Sequence, residues 1–250
     1  MKKKVLFVVS SHSQLGDTGK KTGYFLSEVT HPWSVISQEY EIDVVSPLGG
    51  RPPVDGFDLS DPINRKYWDD PEWQDKMSTT MTPSQVNPEE YSAIFYAGGH
   101  GAMWDFPNNT ALAKIAKTIY ENGGLVAAVC HGPAGLLPIK LSDGTFLVKG
   151  KKLVSFTNAE EEANGTAKIV PFLLQTALVE EGAVFEEKAP WSDNVVIDGR
   201  LLTGQNPMSA LSLGKAILSQ LDSVQFAVEN LAEKVKDGVS ALAQEAQALN

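Results

Sequence analysis

Apolar residues gather in five short runs, 5–9, 42–45, 93–97, 125–129 and 153–156. Each is too short and too evenly apolar for an amphipathic helix, and a brief run without alternation suits a strand buried on both faces. Between the third and fourth runs, Leu112, Ile115, Ile119 and Tyr120 keep helical spacing over 111–122, and Gly123 ends the pattern. Strands alternating with helices predict a parallel α/β sheet. Ligands of such sheets bind beyond the carboxyl ends of the strands, which puts 98–101 and 130–132 at the site. Farther on, 195–197 and 201–203 flank Asp198-Gly199 and predict a hairpin, followed by a helix over 209–221. The segment 46–90 holds seven prolines but also Tyr67, Trp68, Trp73 and Met77, an aromatic load foreign to a flexible linker. It is read as a partly helical cap over the sheet, within one domain spanning 1–221. Beyond it, Val228, Leu231, Val235, Leu242 and Leu249 recur at roughly heptad spacing and predict an appended amphipathic helix over 222–250.

Charge and cysteine content narrow the function. The net charge is -10, and no basic run follows Lys2 to Lys4, so neither nucleic acid nor an anionic membrane finds an electrostatic partner. The stretch 5–9 is followed at once by Ser10, Ser11 and His12, too short for a signal peptide, and a cytoplasmic location is expected. The single cysteine, Cys130, excludes an internal disulfide and any Cys-x-x-Cys metal site. No metal or nucleotide cofactor is expected, since phosphate-cradling glycine patterns are absent too.

Cys130 stands where the apolar run 125–129 meets Gly132 and Pro133 at the start of a helix. A sharp strand-to-helix turn exposes the residue at its tip, as in a nucleophile elbow. The positive end of the following helix is expected to favour thiolate and lower the thiol pKa. Gly98 and Gly99 follow another strand, and their backbone N–H groups are oxyanion-hole candidates, with the N–H of His131 as a second donor. All four histidines, His12, His31, His100 and His131, lie at or before position 131. A triad needing a histidine well downstream of the cysteine, as in class I glutamine amidotransferases, cannot be assembled. His131 is the main general-base candidate and His100 the runner-up, while His12 and His31 read as structural. Glu160, Glu161 and Glu162 follow the possible N-caps Thr157 and Asn158 and read mostly as a solvated helix start, from which one carboxylate orients His131. Glu28 is a further carboxylate of interest after the first strand.

The motif A-G-G-H-G over 97–101, A-A-V-C-H-G-P-A over 127–134, T-G-Y-F-L-S-E-V-T-H-P over 22–32 and T-G-Q-N-P-M-S-A over 203–210 together resemble the ThiJ/PfpI superfamily. The resemblance is closest to its glutathione-independent glyoxalase and heat-shock chaperone branch, and it runs from about residue 4 to residue 220. It implies a flavodoxin-like α/β sandwich with a mostly parallel central sheet, helices on both faces and a small cap. It further implies a cofactor-free homodimer acting as a glyoxalase III-type lyase that converts methylglyoxal to lactate. Carried across by motif, the nucleophile falls on Cys130, the histidine on His131, the acid of F-T-x-x-x-E on Glu161 and the thiol-contacting glutamate on Glu28. His100 joins Gly98 and Gly99 in the oxyanion and substrate-binding set, and Trp191, in A-P-W-S-D, matches a position near the pocket. The implied chemistry is attack of a Cys130 thiolate on a small 2-oxoaldehyde, followed by proton transfer through His131 or Glu28. Two rivals use other features: a holdase or protein deglycase of the same superfamily, the holdase relying on an exposed apolar patch at 67–77 or along the tail, and a cysteine peptidase or amidase.

Overall fold

The computed structural model describes residues 4–223, so the predicted tail helix over 222–250 lies, but for its first two residues, outside the described residues. In chain order the elements are β1 (Lys4–Val8), β2 (Tyr24–Phe25), α1 (Leu26–Ile36), β3 (Glu41–Val45), β4 (Val54–Asp55), α2 (Pro62–Trp68), α3 (Pro71–Ser78) and β5 (Tyr91–Tyr96). These are followed by α4 (Ala102–Asp105), α5 (Thr110–Glu121), β6 (Leu125–Val129), β7 (Lys152–Leu153), α6 (Asn158–Ala163), α7 (Leu174–Glu180), β8 (Val184–Phe185), β9 (Val195–Asp198) and β10 (Leu201–Gly204). A last helix occupies 210–223.

Six strands form the central sheet in the order β3-β1-β5-β6-β10-β9. The first five are parallel, and only β9 runs antiparallel, paired with β10 across the predicted Asp198-Gly199 turn. The predicted strand at 153–156 is a partial exception. Only Leu153 enters a strand, the short β7, which pairs with β8 outside the central sheet. Apolarity there reflects burial without ladder pairing: Val154 to Phe156 are buried and lead into α6.

Alternation along the strands builds two cores. In β1 and just past it, Val5, Phe7 and Val9 face α1 and the last helix, whereas Leu6 and Val8 face α4, α5 and α7. On the first face Phe7 packs on Phe95 at 4.8 Å and edge-on to Trp33 at 5.5 Å between ring centroids. Tyr67 and Trp73, from the proline-rich segment, pack on the same Trp33, and Met77 is buried in the same core. Full burial of such side chains is worth roughly 1.5–3 kcal/mol each. Those residues therefore serve the core, and the apolar surface a holdase would need at 67–77 is not exposed.

Register brings four strand ends together. Val8 pairs with Tyr96, Tyr96 with Ala128, and Gly204 with Val129. The segments that leave these strands, 97–101, 130–132 and 205–206, thus converge at one edge of the sheet, where parallel sheets offer their ligand crevice.

Candidate active site

Cys130 is the first residue past β6 and has φ 59, a left-handed conformation that costs a side chain of its type free energy. Two backbone bonds hold it there. Its N–H donates to the carbonyl of Gly204 at 3.0 Å, and its own carbonyl accepts from the N–H of Phe156 at 2.8 Å. The turn runs into the 3-10 segment Gly132–Leu136, with His131 at its cap position.

This bend settles where the adjacent histidine points. His131 lies beside the sulfur, Nδ1 to Sγ 3.4 Å, and its Nε2 is 2.7 Å from Oε2 of Glu161. Glu161 sits in the first turn of α6, capped by Thr157, and is buried. Burial alone would raise its pKa, yet hydrogen bonds from His100, His131 and Thr166 hold the carboxyl well below the usual range. An ionised Glu161 requires a proton on Nε2 of His131, which leaves the Nδ1 lone pair facing the thiol. Burial, seconded by the neighbouring His100, depresses His131 to about 4, so the ring is neutral and ready to accept a proton. His100 does not reach the sulfur. Its Nε2 lies 3.0 Å from Oε1 of Glu161, and its ring stands against His131 at 4.1 Å. As runner-up base it is displaced to the far side of the carboxylate.

Glu28 also reaches Cys130. It lies in the first turn of α1, whose start is tied to the glycine loop by the Phe25 N–H bond to the Gly98 carbonyl at 3.1 Å. The carboxyl is completely buried, neither oxygen has a well-formed hydrogen bond, and the Cys130 thiol and Gly98 are the groups that face it. A buried, unpaired carboxylate is costly. Burial accordingly raises Glu28 to about 8, and it holds its proton at neutral pH. Gly98 is required by this closeness, since a Cβ there would stand 2.4 Å from Oε2 of Glu28.

The expected thiolate at Cys130 is not supported. The segment after it is a five-residue 3-10 turn, too short for a developed helix dipole, and the sulfur is buried. Burial first, and then Glu28, push the thiol pKa up; the N–H of Gly99 opposes them only in part. Cys130 rests as a thiol between a neutral acceptor and a proton-bearing acid.

The N–H of Gly99 points at the Cys130 sulfur, and that of His131 has no hydrogen-bond acceptor among the described residues. Gly99 takes φ 97 in the same loop. A cleft of about 400 Å³ opens onto them, lined by Phe25, His100 and Trp191 and carrying Lys20 and Lys21 at its rim. Another hollow of about 270 Å³, lined by Tyr40, Tyr91 and Leu125 at the other end of the strands, holds neither cysteine nor histidine.

Trp191 shares with Cys130 a feature found at no other described non-glycine residue, a positive φ, here 64. Its N–H donates to Oε1 of Glu160 at 2.8 Å, and its ring packs edge-on to Phe156, which in turn covers His131. Glu160 was not singled out from the sequence beyond its place in the glutamate run. It is fully buried and accepts from Thr157, Trp191, Gln205 and Asn206, so the solvated reading fails for Glu160 and Glu161 and holds only for Glu162. The spacing Thr157 to Glu160 is that of a capping box, a signal legible in the sequence. His12, stacked on Trp104, and His31, paired with Asp61, lie outside the cleft. His100, His131 and Glu161 also form a set able to hold a metal ion, with one donor atom from each within 4.8 Å of the others.

A family model described as the DJ-1/PfpI family matches residues 21–220. The chain belongs to the DJ-1/PfpI family. Within that family it is similar to "Glyoxalase 3" of Candida albicans, 34% identical over 234 residues, covering 88% of this chain and 98% of that protein. It is 36% identical over 230 residues to a "Glutathione-independent glyoxalase" of Saccharomyces cerevisiae, covering 84% and 94% of the two chains. The solved structure of the Rapid Encystment Protein 24 kDa of Francisella tularensis superposes with a TM-score of 0.85 at 40% identity, over 88% of this chain and 99% of that one. The flavodoxin-like sandwich implied by the motifs is the fold observed. No helix among the described residues is long and apolar enough to cross a membrane.

Proposed function

We propose that this family member is a glutathione-independent glyoxalase that converts methylglyoxal and related 2-oxoaldehydes to 2-hydroxy acids. The observation that carries the reading is a buried thiol held on a strained bend between a neutral imidazole and a protonated carboxyl. Relatives of similar length that bear the name glyoxalase add to it.

In the proposed sequence, Nδ1 of His131 takes the thiol proton as Sγ bonds to the aldehyde carbon, and Glu161 stabilises the imidazolium. The carbonyl electron pair moves onto oxygen, where the N–H groups of Gly99 and His131 receive the charge. Glu28 protonates that oxygen and becomes a carboxylate next to the new C–H bond. It removes the hydrogen from the first carbon, giving an enediolate, and returns that proton to the second carbon while the proton on the first oxygen passes to the second oxygen, leaving a 2-hydroxy thioester on Cys130. Water then attacks the thioester, the C–S bond breaks, the sulfur regains its proton, and the hydroxy acid leaves. No electrons are gained or lost overall, so neither oxidant nor reductant is needed. A carboxyl that titrates near 8 is well matched to this two-way traffic. Trp191 and His100 are assigned to the walls of the binding cleft, with His100 also positioning Glu161.

A homodimer is the assembly we assign to it, on the family resemblance alone. Incubating the purified protein with methylglyoxal in the absence of glutathione tests the reading. Stoichiometric lactate supports it, and substrate loss without lactate, or no loss, sinks it.

A further inference from the structure

His131, His100 and Glu161 present three donor atoms of the kind zinc prefers, two imidazole nitrogens and a carboxylate oxygen, no pair more than 4.8 Å apart. Two ligands of a tetrahedral zinc ion stand about 3.3 Å apart, given zinc–nitrogen bonds of about 2.0–2.1 Å. Nε2 of His100 lies 3.0 Å from Oε1 of Glu161 and Nε2 of His131 2.7 Å from Oε2, and the one-atom-per-residue triangle spans no more than 4.8 Å, so a cation enters by side-chain adjustments of about 1–2 Å. His131 and Glu161 are buried whereas His100 lines the open cleft, which gives an ion a path inward and leaves a coordination position to solvent. The Thr166 hydroxyl, which donates to Glu161 and lies 3.2 Å from Nε2 of His100, holds the carboxylate in place from outside the set.

We propose that this triangle is an inhibitory site for zinc, distinct from the thiol and occupied through the back of the His131 ring. Sγ faces Nδ1, whereas the ion is held at Nε2 on the other side of the imidazole. Ligation at Nε2 displaces its hydrogen and leaves the neutral ring with its proton on Nδ1. That nitrogen then points a donor at the sulfur and no longer takes the thiol proton. One ion therefore removes both the base and its carboxylate partner. The consequence for turnover rests on the function proposed above, but the binding does not.

The test uses the full chain freed of metal by chelation. Titration against a chromophoric zinc chelator is expected to show one tight zinc per chain, with lactate formation falling at least tenfold at saturation and returning on addition of EDTA. His100→Gln, checked for native circular dichroism, is expected to weaken zinc at least tenfold, and Cys130→Ala to change it by no more than about twofold. With the unmutated protein, Co²⁺ is expected to give a tetrahedral visible spectrum without a sulfur-to-cobalt charge-transfer band. That band, zinc affinity lost in Cys130→Ala, or affinity unchanged in folded His100→Gln would overturn the site. Lactate formation undiminished in the zinc-saturated protein would overturn the inhibition. If methylglyoxal is not turned over at all while zinc binds as described, the site stands and the proposed function falls.

Discussion

Replacing Glu28 by glutamine separates catalysis from stability, because the two respond to this carboxyl in opposite directions. The folded carboxyl keeps its proton up to about pH 8, whereas an exposed glutamate releases it near 4.5. Folding therefore takes up a proton between those values, and stability falls as pH rises through that window. At pH 7 the gap from 4.5 is 2.5 units, or about 3 kcal/mol at about 1.4 kcal/mol per unit. Glutamine has nearly the shape of the protonated acid and incurs no such cost. Glu28→Gln is expected to be more stable than the parent at pH 7 by up to about 3 kcal/mol, a rise in Tm of roughly 6–12 °C for a chain of this size. Below pH 4.5 the advantage should vanish. An amide cannot carry a proton from one carbon to the other, so kcat/KM should fall by about 10²-fold. Melting curves at pH 4 and pH 7, together with lactate assays, read both effects. A variant with parental kcat/KM, or one whose relative stability does not depend on pH, would refute the reasoning.

Other substitutions probe the same geometry. Glu161→Gln keeps a hydrogen-bonding side chain but removes the charge that fixes the His131 proton on Nε2, and kcat should drop at least 10²-fold with the fold intact by circular dichroism. Gly98→Ala places a Cβ 2.4 Å from Glu28 Oε2 and 2.7 Å from the carbonyl of Val129, so it should lower stability by about 1–3 kcal/mol in chemical denaturation and abolish turnover; parental behaviour in both assays would show that the loop has room.

Much of the sheet was legible because its strands are buried on both faces, so that four of five apolar runs became central strands. The run 153–156 was misplaced for the same reason, since apolarity reports burial and not ladder pairing. Cys130 and the glycine loop were readable from position alone, each following a strand. The direction of His131 was not, because it depends on a positive φ at the preceding residue, which nothing in the side-chain sequence demands. Glu28 came from motif resemblance, as its contact with Cys130 joins residues far apart in the chain. The helix dipole predicts the wrong direction for the thiol pKa, because the helix is a single 3-10 turn and burial, invisible in sequence, is the largest effect. Glu160 was open to inference, since its capping-box spacing to Thr157 marks it as structural and leaves Glu161 free for His131.

The central claim is that Cys130 forms a covalent adduct with substrate, and Cys130→Ala tests it most directly. Removing one buried sulfur leaves the backbone bonds to Gly204 and Phe156 in place, so the variant should fold with nearly the parental Tm. Rates of lactate formation from methylglyoxal, without glutathione, should then be indistinguishable from the uncatalysed background, because without the sulfur His131 has no thiol proton to take and no hemithioacetal forms for Glu28 to act on. Lactate production by Cys130→Ala at near the parental rate would contradict the nucleophile and every step built on it.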